Sequence, residues 1–350
     1  PSAGDIVAFK DYANTFDTAT LTIGRNGSNI GGQAIDSQIS TEGIAVTLVY
    51  ADATKGWLVT DSGLQSESPG PLFISATGGT VATVCTNFKV HTFTGPGTFC
   101  VSCAGNAAGS NKVSYLVVAG GGGSGQYYGG GGGGGGFRES KSPDTPYTAS
   151  PLDETNGLTV SATGFPITVG GGGAKGGPSY QPGVKGTNST FSSITSTGGG
   201  FGGGSQPSGA VGGPGGSGGG GGGTNGGAGG SGNDPAVSPA QGQDGATVGG
   251  SLAGGGGGAT GVGGNNPDKK QGGVGATTSI NNTPTAYSGG GGGGPEATTA
   301  TSPCGSGGVN TPSPVSPADL RNGGTNKGGG GGADGGAGGS GIVIIRYKFQ

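Results

Sequence analysis

The chain has 350 residues, of which 96 are glycine and 21 are proline, and its formal net charge is −3. Without an excess of basic residues there is no electrostatic basis for nucleic-acid binding, and no apolar run approaches the ~20 residues of a membrane helix. A hydrophobic content of 29% argues against an ordinary α/β enzyme core, and glycines in blocks rather than at every third position exclude collagen.

The glycines are unevenly distributed, with 15 in residues 1–118 and 81 in residues 119–350. Such a composition is often typical of disorder. However, only 9% of the residues are charged, so the chain lacks the repulsion that keeps many disordered segments extended. We therefore expect the glycine blocks to pair their backbones in a specific arrangement.

Residues 1–66 predict a small β-rich module. Strand-like sequences lie at 4–9, 21–24, 44–50 and 57–59, and the Asn26-Gly27 pair is a turn signal. The segment between the first two strands lacks the 3.6-residue period of an amphipathic helix. The module is therefore expected to contain no helix.

This module resembles one that recurs in virion and fibre proteins of tailed bacteriophages, especially marine ones. The resemblance covers most of residues 4–60, and it implies a place on a virus particle, where the module attaches the chain or assembles it into an oligomer. The residues that carry it are Gly4-Asp5-Ile6-Val7, Lys10-Asp11-Tyr12-Ala13, Leu21-Thr22-Ile23-Gly24-Arg25-Asn26-Gly27-Ser28-Asn29-Ile30, Thr47-Leu48-Val49-Tyr50 and Gly56-Trp57.

A second β region is predicted after a linker. Residues 87–101 read as a hairpin, and residues 112–119 as a strand that runs straight into glycines. The apolar run 342–345 predicts a terminal strand buried on both faces. The simplest topology places Val118 and Ile342 as neighbours in one sheet, with the glycine-rich region inserted between them.

Glycine blocks can be ordered only through their backbones, because they have no side chains to bury. In a polyproline-II-like helix the N–H and C=O groups point outward in three directions, and six glycines span about 19 Å. Without Cβ atoms such helices can lie close together and exchange hydrogen bonds, so we predict a polyglycine-II bundle in which Phe201 faces outward. The alternative is an array of flexible glycine linkers. The blocks lie at residues 129–136, 170–173, 198–204, 218–223, 254–258, 289–294 and 328–332.

The junctions between strands and glycines are similar to those of the glycine-rich domain of phage tail-fibre proteins and of the anaplastic lymphoma kinase receptor family. The resemblance covers roughly residues 85–350 and implies a polyglycine bundle whose loops, in the phage adhesins, contact the host receptor. The junctions are Tyr115-Leu116-Val117-Val118-Ala119-Gly120, Ile167-Thr168-Val169-Gly170 and Gly338-Gly339-Ser340-Gly341-Ile342-Val343-Ile344-Ile345-Arg346-Tyr347.

The fold class expected is therefore all-β with little or no α-helix, in which a small β-framework carries an inserted polyglycine-II bundle. The expected organisation is 1–66 as the attachment or oligomerisation module, 67–84 as linker and first strand, 85–119 plus 340–350 as the β-framework, and 120–339 as the bundle with its surface loops.

The function expected is that of a non-enzymatic phage fibre or appendage protein that binds the host cell surface through these loops. The alternative is a purely structural virion protein, either a capsid decoration protein or a repeating fibre subunit. Expected partners are other copies of the chain, with a trimer favoured, other virion proteins through the N-terminal module, and a host receptor or glycan. No membrane insertion is expected. The chain is expected on the virion after synthesis in the host cytoplasm, because Pro1-Ser2-Ala3-Gly4-Asp5 lacks the features of a signal peptide; a signal peptide cleaved before Pro1 is the alternative.

Aromatic side chains in or beside the glycine region have two interpretations. Tyrosine offers a rigid ring with a polar tip, which suits a rim that contacts a receptor or glycan. Alternatively, the rings plug the edges of the bundle. The candidate receptor-contact residues are Tyr127, Tyr128, Tyr147, Tyr180, Tyr287, Asn266 and Lys269.

Catalytic and cofactor motifs are not found in the sequence. The lone histidine, His91, lies in a predicted strand and is interpreted as structural. The sequence Gly173-Ala174-Lys175-Gly176 lacks the Ser or Thr that a phosphate-binding loop needs after its lysine, and no cofactor or metal is expected. The cysteines are candidates for disulfides, with free thiols or a zinc site as alternatives. They are Cys85, Cys100, Cys103 and Cys304.

Overall fold

The computed structural model describes residues 1–64, 71–205, 210–223, 226–250, 252–264, 270–294, 301, 306–310 and 318–350. The chain divides into two units, Pro1–Leu72 and Phe73–Gln350. Across the described residues it is all-β, since the only helix is the four-residue α1, Ala318–Arg321. This confirms the fold class expected from the sequence.

The N-terminal unit contains a three-stranded antiparallel sheet of order β1-β4-β5 and a hairpin, β2-β3. Val46 and Leu48 of β4 are buried, whereas the other strands of this sheet are largely exposed. Asp11 is buried and accepts backbone N–H bonds from Thr15, Phe16 and Gly43. The strands are β1 Ile6–Lys10, β2 Leu21–Ile23, β3 Ser37–Ile39, β4 Ile44–Asp52 and β5 Gly56–Leu64.

The second unit has a framework of two packed antiparallel sheets and a small hairpin. One sheet has the order β11-β10-β18-β8-β7, with β12 also paired to β10, and the other has the order β15-β14-β13-β9-β6. The strands are β6 Ile74–Thr77, β7 Thr80–Val84, β8 Phe88–Phe93, β9 Gly97–Ala104, β10 Lys112–Val118, β11 Phe137–Ser140, β12 Leu158–Thr159, β13 Gly164–Thr168, β14 Ser189–Phe191, β15 Ile194–Ser196, β16 Ala276–Thr278, β17 Thr285–Tyr287 and β18 Ile342–Lys348.

Strand β18 lies at the centre of this framework. Val343, Ile345 and Tyr347 pack into the core between the two sheets, while Ile342 and Ile344 pack on the opposite face of the sheet against the β16-β17 hairpin. The alternation follows the two-residue period of a strand. The sequence correctly predicts both the two-sided burial and the pairing of β10 with β18, in which Val118 lies opposite Ile342.

The framework begins earlier than the sequence suggests. Residues 67–84 are predicted to be a linker and one strand, yet β6 and β7 both belong to the framework, one at the edge of each sheet. Their side chains are mostly exposed and carry no strong apolar pattern, which is why the sequence signal is weak.

The glycine-rich region forms the predicted polyglycine-II bundle. The segment 119–125 is fully buried and is surrounded by six neighbouring segments, because its N–H groups donate to three of them in turn and its C=O groups accept from three others. The donated bonds, all 2.9–3.1 Å, are Gly120 to Thr187, Gly121 to Gly339, Gly122 to Gly133, Gly123 to Val184, Ser124 to Gly336 and Gly125 to Gly130. The three-residue repeat is that of a polyproline-II helix.

Neighbouring backbones in the bundle lie so close together that there is no room for side chains between them. A Cβ built on Gly122 would lie 2.0 Å from the carbonyl oxygen of Gly200, and one on Gly132 would lie 2.0 Å from that of Gly122. Neither glycine has a left-handed φ, so close packing of neighbouring backbones, and not backbone conformation, excludes other residues. Phe201 is tolerated because it is partly exposed, with its ring lying over Gly213.

Candidate functional site

The bundle segments run alternately away from and back toward the framework, so their loops gather at two ends. Segment 119–125 leaves β10 and lies antiparallel to segment 129–136, with Gly125 bonded to Gly130 and Ala119 bonded to Gly136. Segments 170–176 and 198–204 run parallel to 119–125, as the bonds that its carbonyls accept show. The loops that follow segments 119–125 and 170–176, and the end of segment 198–204, therefore lie at the end remote from β10, which we call the far end.

Three tyrosines lie at the far end, and we call them the tyrosine rim: Tyr127, Tyr128 and Tyr180. Their side chains are 51%, 45% and 42% exposed. The rings of Tyr127 and Tyr180 come from different loops, yet their centroids are 5.1 Å apart with an interplanar angle of 48°. The structure thus brings together the rings of two candidate contact residues from different loops, and the exposed Tyr128 follows Tyr127 directly in the same loop.

The two loops that carry the rim are held together by hydrogen bonds. The backbone N–H of Gln126 donates to the Gln181 carbonyl at 3.2 Å, which joins the two loops, and the backbone N–H of Ser205, at the end of segment 198–204, donates to the Tyr180 carbonyl at 3.2 Å. With its amide oriented to donate, the Gln126 side chain also bonds to the carbonyls of Gly176 and Gly177, at 3.0 and 2.8 Å. The rings are therefore displayed from a fixed backbone.

The backbone beneath the rim is left-handed. The φ angles of Tyr127, Tyr128 and Tyr180 are 45°, 50° and 68°, and Ser179 has a φ of 70°. For a residue with a Cβ this conformation costs about 1–2 kcal/mol, whereas glycine adopts it freely. Tyrosine thus occupies three positions where glycine would fit with less strain.

A turn and a lysine complete the surroundings of the rim. Asp334 donates its N–H to the Gly125 carbonyl, which brings the turn at 333–335 to the far end. A Cβ on Gly335 would lie 3.8 Å from the Lys175 amine, so the exposed Lys175 lies beside this turn. Lys175 and Gln126 were not among the candidate residues, because their place depends on which loops meet, and that is not encoded in a local sequence pattern.

Two candidate tyrosines lie elsewhere and do not belong to the rim. Tyr287 is 2% exposed in the apolar layer beneath the larger sheet, so the expectation that it contacts a receptor is wrong. Tyr147 is half-buried, with its ring 5.4 Å from the Cζ atom of the fully buried Arg346, and burial raises the pKa of its phenol. It covers a buried cation. Asn266 and Lys269 lie outside the described residues.

The described cysteines do not form the expected disulfides. Cys85, Cys100 and Cys103 are free thiols. Cys100 and Cys103 lie on the same strand, β9, and residues three apart on a strand are separated by about 10 Å, too far for a disulfide. Cys304 lies outside the described residues, and among those described no group of three or more His, Cys, Asp or Glu side chains could hold a metal ion.

Buried titratable groups in the described chain serve the framework. His91 is fully buried and lies 2.7 Å from the Gly78 carbonyl and 3.1 Å from the Tyr347 hydroxyl, and burial lowers its pKa. Glu139 is also buried, which raises its pKa, and it accepts bonds from the Ser150 N–H and the Thr278 hydroxyl. These contacts connect strands with the loops and hairpin packed on them.

The N-terminal unit has a separate concave feature. A cavity of about 280 Å³ is lined by the apolar side chains of Phe9, Leu48 and Trp57, and Arg25 and Asn26 also line it. Such a mixture of apolar walls and a few polar groups suits a side chain or short segment of a partner. The cavity lies within the residues that resemble the phage module.

Comparison with known proteins identifies the second unit. A family model described as a glycine-rich domain matches residues 92–348, which include the framework strands from β9 to β18 and the whole bundle. No curated protein matches the sequence significantly. Among the described residues no helix is long and apolar enough to cross a membrane. Since the family model covers most of the chain, the protein belongs to the glycine-rich domain family.

Proposed function

We propose that the chain is a non-enzymatic fibre or appendage protein of a tailed bacteriophage, and that the tyrosine rim binds the host cell surface. The proposal is supported by the polyglycine-II bundle, by membership of the glycine-rich family and by the resemblance of both units to virion proteins. It places the protein on the virion.

The left-handed tyrosines carry the proposal. An exposed aromatic ring with a hydroxyl tip supplies a large contact area and a hydrogen bond while losing little conformational freedom, which suits the binding of a protein or a glycan. Rings that served only to seal the end of the bundle would be buried, whereas Tyr127, Tyr128 and Tyr180 are 42–51% exposed.

The bundle suits a display role for a physical reason. Its interior is fixed by amide-to-carbonyl bonds between segments, so loop residues at the far end contribute little to the core. Changes in the loops therefore alter the contact surface without repacking side chains, and binding specificity can reside there.

The N-terminal unit is proposed to attach the chain to the particle or to a fibre shaft. The cavity lined by Phe9, Leu48 and Trp57 offers a place for an apolar group of another virion protein. Only Val46 and Leu48 among its described apolar side chains are fully buried, which is a small core for a unit of this size, and association would cover more apolar surface.

The test is adsorption of the purified, fluorescently labelled chain to a panel of bacterial isolates that includes marine species. We expect binding to some isolates and a loss of about tenfold or more in affinity for Tyr128→Gly and Tyr180→Gly, because exposed aromatic anchors dominate binding surfaces. Val262→Gly is the control and keeps full binding: it removes another exposed side chain of the bundle, and Val262 follows segment 254–258, which runs parallel to 129–136, back toward the framework. On isolates that bind, excess protein blocks infection by the phage.

Two results would overturn the proposal. One is adsorption that is equally strong in the tyrosine variants and in the control. The other is a chain that adsorbs to no isolate and coats the particle in many copies when viewed by electron microscopy, which would establish the structural alternative.

A further inference from the structure

Besides the two-residue β12, the two framework sheets have four edge strands in the described chain, and three of these four are protected. β6 is four residues long and has a bulge opposite β9 between Ser75 and Ala76. β11 and β15 are short and are covered by other segments: Phe137 donates its N–H to Gln241, and Gly136 donates to Thr197, directly after β15. Short, bulged or covered edges are the ways in which proteins prevent unwanted strand pairing.

The fourth edge, β7, has none of these protections. Thr80 to Thr83 are all exposed, Val81 is 46% exposed, and the sequence Thr-Val-Ala-Thr-Val contains no charge, proline or glycine. The pairing with β8 is regular, from Thr80 opposite Thr92 to Val84 opposite Phe88. Within the described chain, no backbone bond reaches β7 from any segment other than β8.

The nearest charge does not protect this edge. The Lys89 amine, on the neighbouring strand β8, bonds to the Thr83 hydroxyl at 2.9 Å and lies 4.6 Å from the ring centroid of Phe349. Both contacts hold it over the face of the sheet. The outward N–H and C=O groups of β7 thus remain accessible to another strand.

We propose that β7 pairs antiparallel with β7 of a second copy of this chain, around a two-fold axis at Ala82. In this register Thr80 lies opposite Val84 of the second copy and Val81 lies opposite its Thr83. A second copy of β7 fits this edge because the strand carries no charge. In this register its threonines lie opposite its valines, so each of these pairs consists of two small β-branched side chains. Alternate residues of each strand then exchange about four to six backbone hydrogen bonds, and the two larger sheets become one continuous sheet.

This contact is independent of host binding, so its failure leaves the proposed function standing. It also specifies the symmetry of assembly. A self-complementary strand pair is two-fold, and it produces dimers or even-numbered assemblies in place of the trimer expected from the sequence.

Sedimentation equilibrium of the full chain tests the pairing. We expect the wild type to form a dimer of twice the 32.4 kDa chain mass. Val81→Lys places a cation in the pairing edge and raises the dimer dissociation constant by about tenfold or more. Val211→Lys is the matched control, since Val211 is an exposed valine of the bundle, and it associates like the wild type. Circular dichroism of each variant verifies that the fold is retained.

Cross-linking tests the register separately. In a chain whose four native cysteines are replaced by serine, Ala82→Cys lies opposite itself and forms a disulfide-linked dimer with oxidised glutathione. Thr80→Cys lies about 13 Å from its equivalent in the second copy and stays monomeric under the same conditions. A monomeric wild type, an association that Val81→Lys leaves unchanged, or equal cross-linking at positions 80 and 82 would overturn the inference.

Discussion

Substitution of Gly132 by alanine tests directly whether the bundle depends on backbones without side chains. The new Cβ would lie 2.0 Å from the Gly122 carbonyl oxygen, and Gly132 also donates to Gly331 and accepts from Gly291. To reach an ordinary contact, the neighbouring segment must move by about 1.2 Å, which weakens two hydrogen bonds of about 1 kcal/mol each and adds about 1–3 kcal/mol of overpacking strain. Alanine offsets about 0.4–1 kcal/mol by restricting the unfolded chain.

The expected result is a loss of about 2–4 kcal/mol in the free energy of unfolding for Gly132→Ala, measured by denaturant titration with far-ultraviolet circular dichroism. Gly177→Ala is the control, because nothing lies within 4 Å of its Cβ position and its φ is not left-handed, so its stability stays equal or rises slightly. The fluorescence of Trp57, which lies in the N-terminal unit, should be the same in both variants. Equal stability of the two variants would refute close packing as the reason for glycine.

Three further predictions concern the rim, the core and the thiols. Tyr180→Gly relieves a left-handed residue, so calorimetry should show unchanged or slightly raised thermal stability; a clear loss would mean that the ring plugs the bundle. His91 has a folded pKa below its ordinary 6.5, because burial outweighs the bond to the Gly78 carbonyl. As the pH falls, His91 is therefore protonated in the unfolded state before it is protonated in the folded state. The free energy of unfolding of the wild type should then fall below about pH 6.5, and this fall should be missing in His91→Gln. A Cys304→Ser chain should show three thiols that react with Ellman's reagent once unfolded without reductant, as the structure has Cys85, Cys100 and Cys103 free, whereas a disulfide would reduce the number.

The strands that the sequence predicts well are those with continuous apolar runs. Residues 342–345 require burial on both faces, and only a central strand provides it, so the apolar run predicts the position of β18. Its pairing with β10 follows from the simplest topology for a glycine-rich region inserted between the two strands. The glycine blocks likewise permit few ordered structures. Their backbone N–H and C=O groups must be paired. In a helix with three residues per turn these groups point outward in three directions, so each segment bonds to neighbours on several sides and a bundle results.

The order of segments within the bundle could not be predicted, because every glycine segment offers the same donors and acceptors. Which segment lies beside which is decided by loops and by the few residues with side chains. This is also why the meeting of Tyr127 with Tyr180 and the burial of Tyr287 are not visible in the sequence. For a related reason the sequence predicts a linker and one strand in residues 67–84, where the structure has both β6 and β7: an exposed edge has no apolar alternation to detect.

Hydrogen exchange of the intact chain, followed by mass spectrometry, tests the central claim most directly. In the bundle every N–H of residues 130–136 donates to a carbonyl of a neighbouring segment, and all of these residues are buried. Their exchange should therefore be as slow as that of β10 and β18 and should require global unfolding of the unit. Exchange at the rate of an unstructured peptide, while β10 and β18 stay protected, would show that the glycine segments are not a hydrogen-bonded bundle.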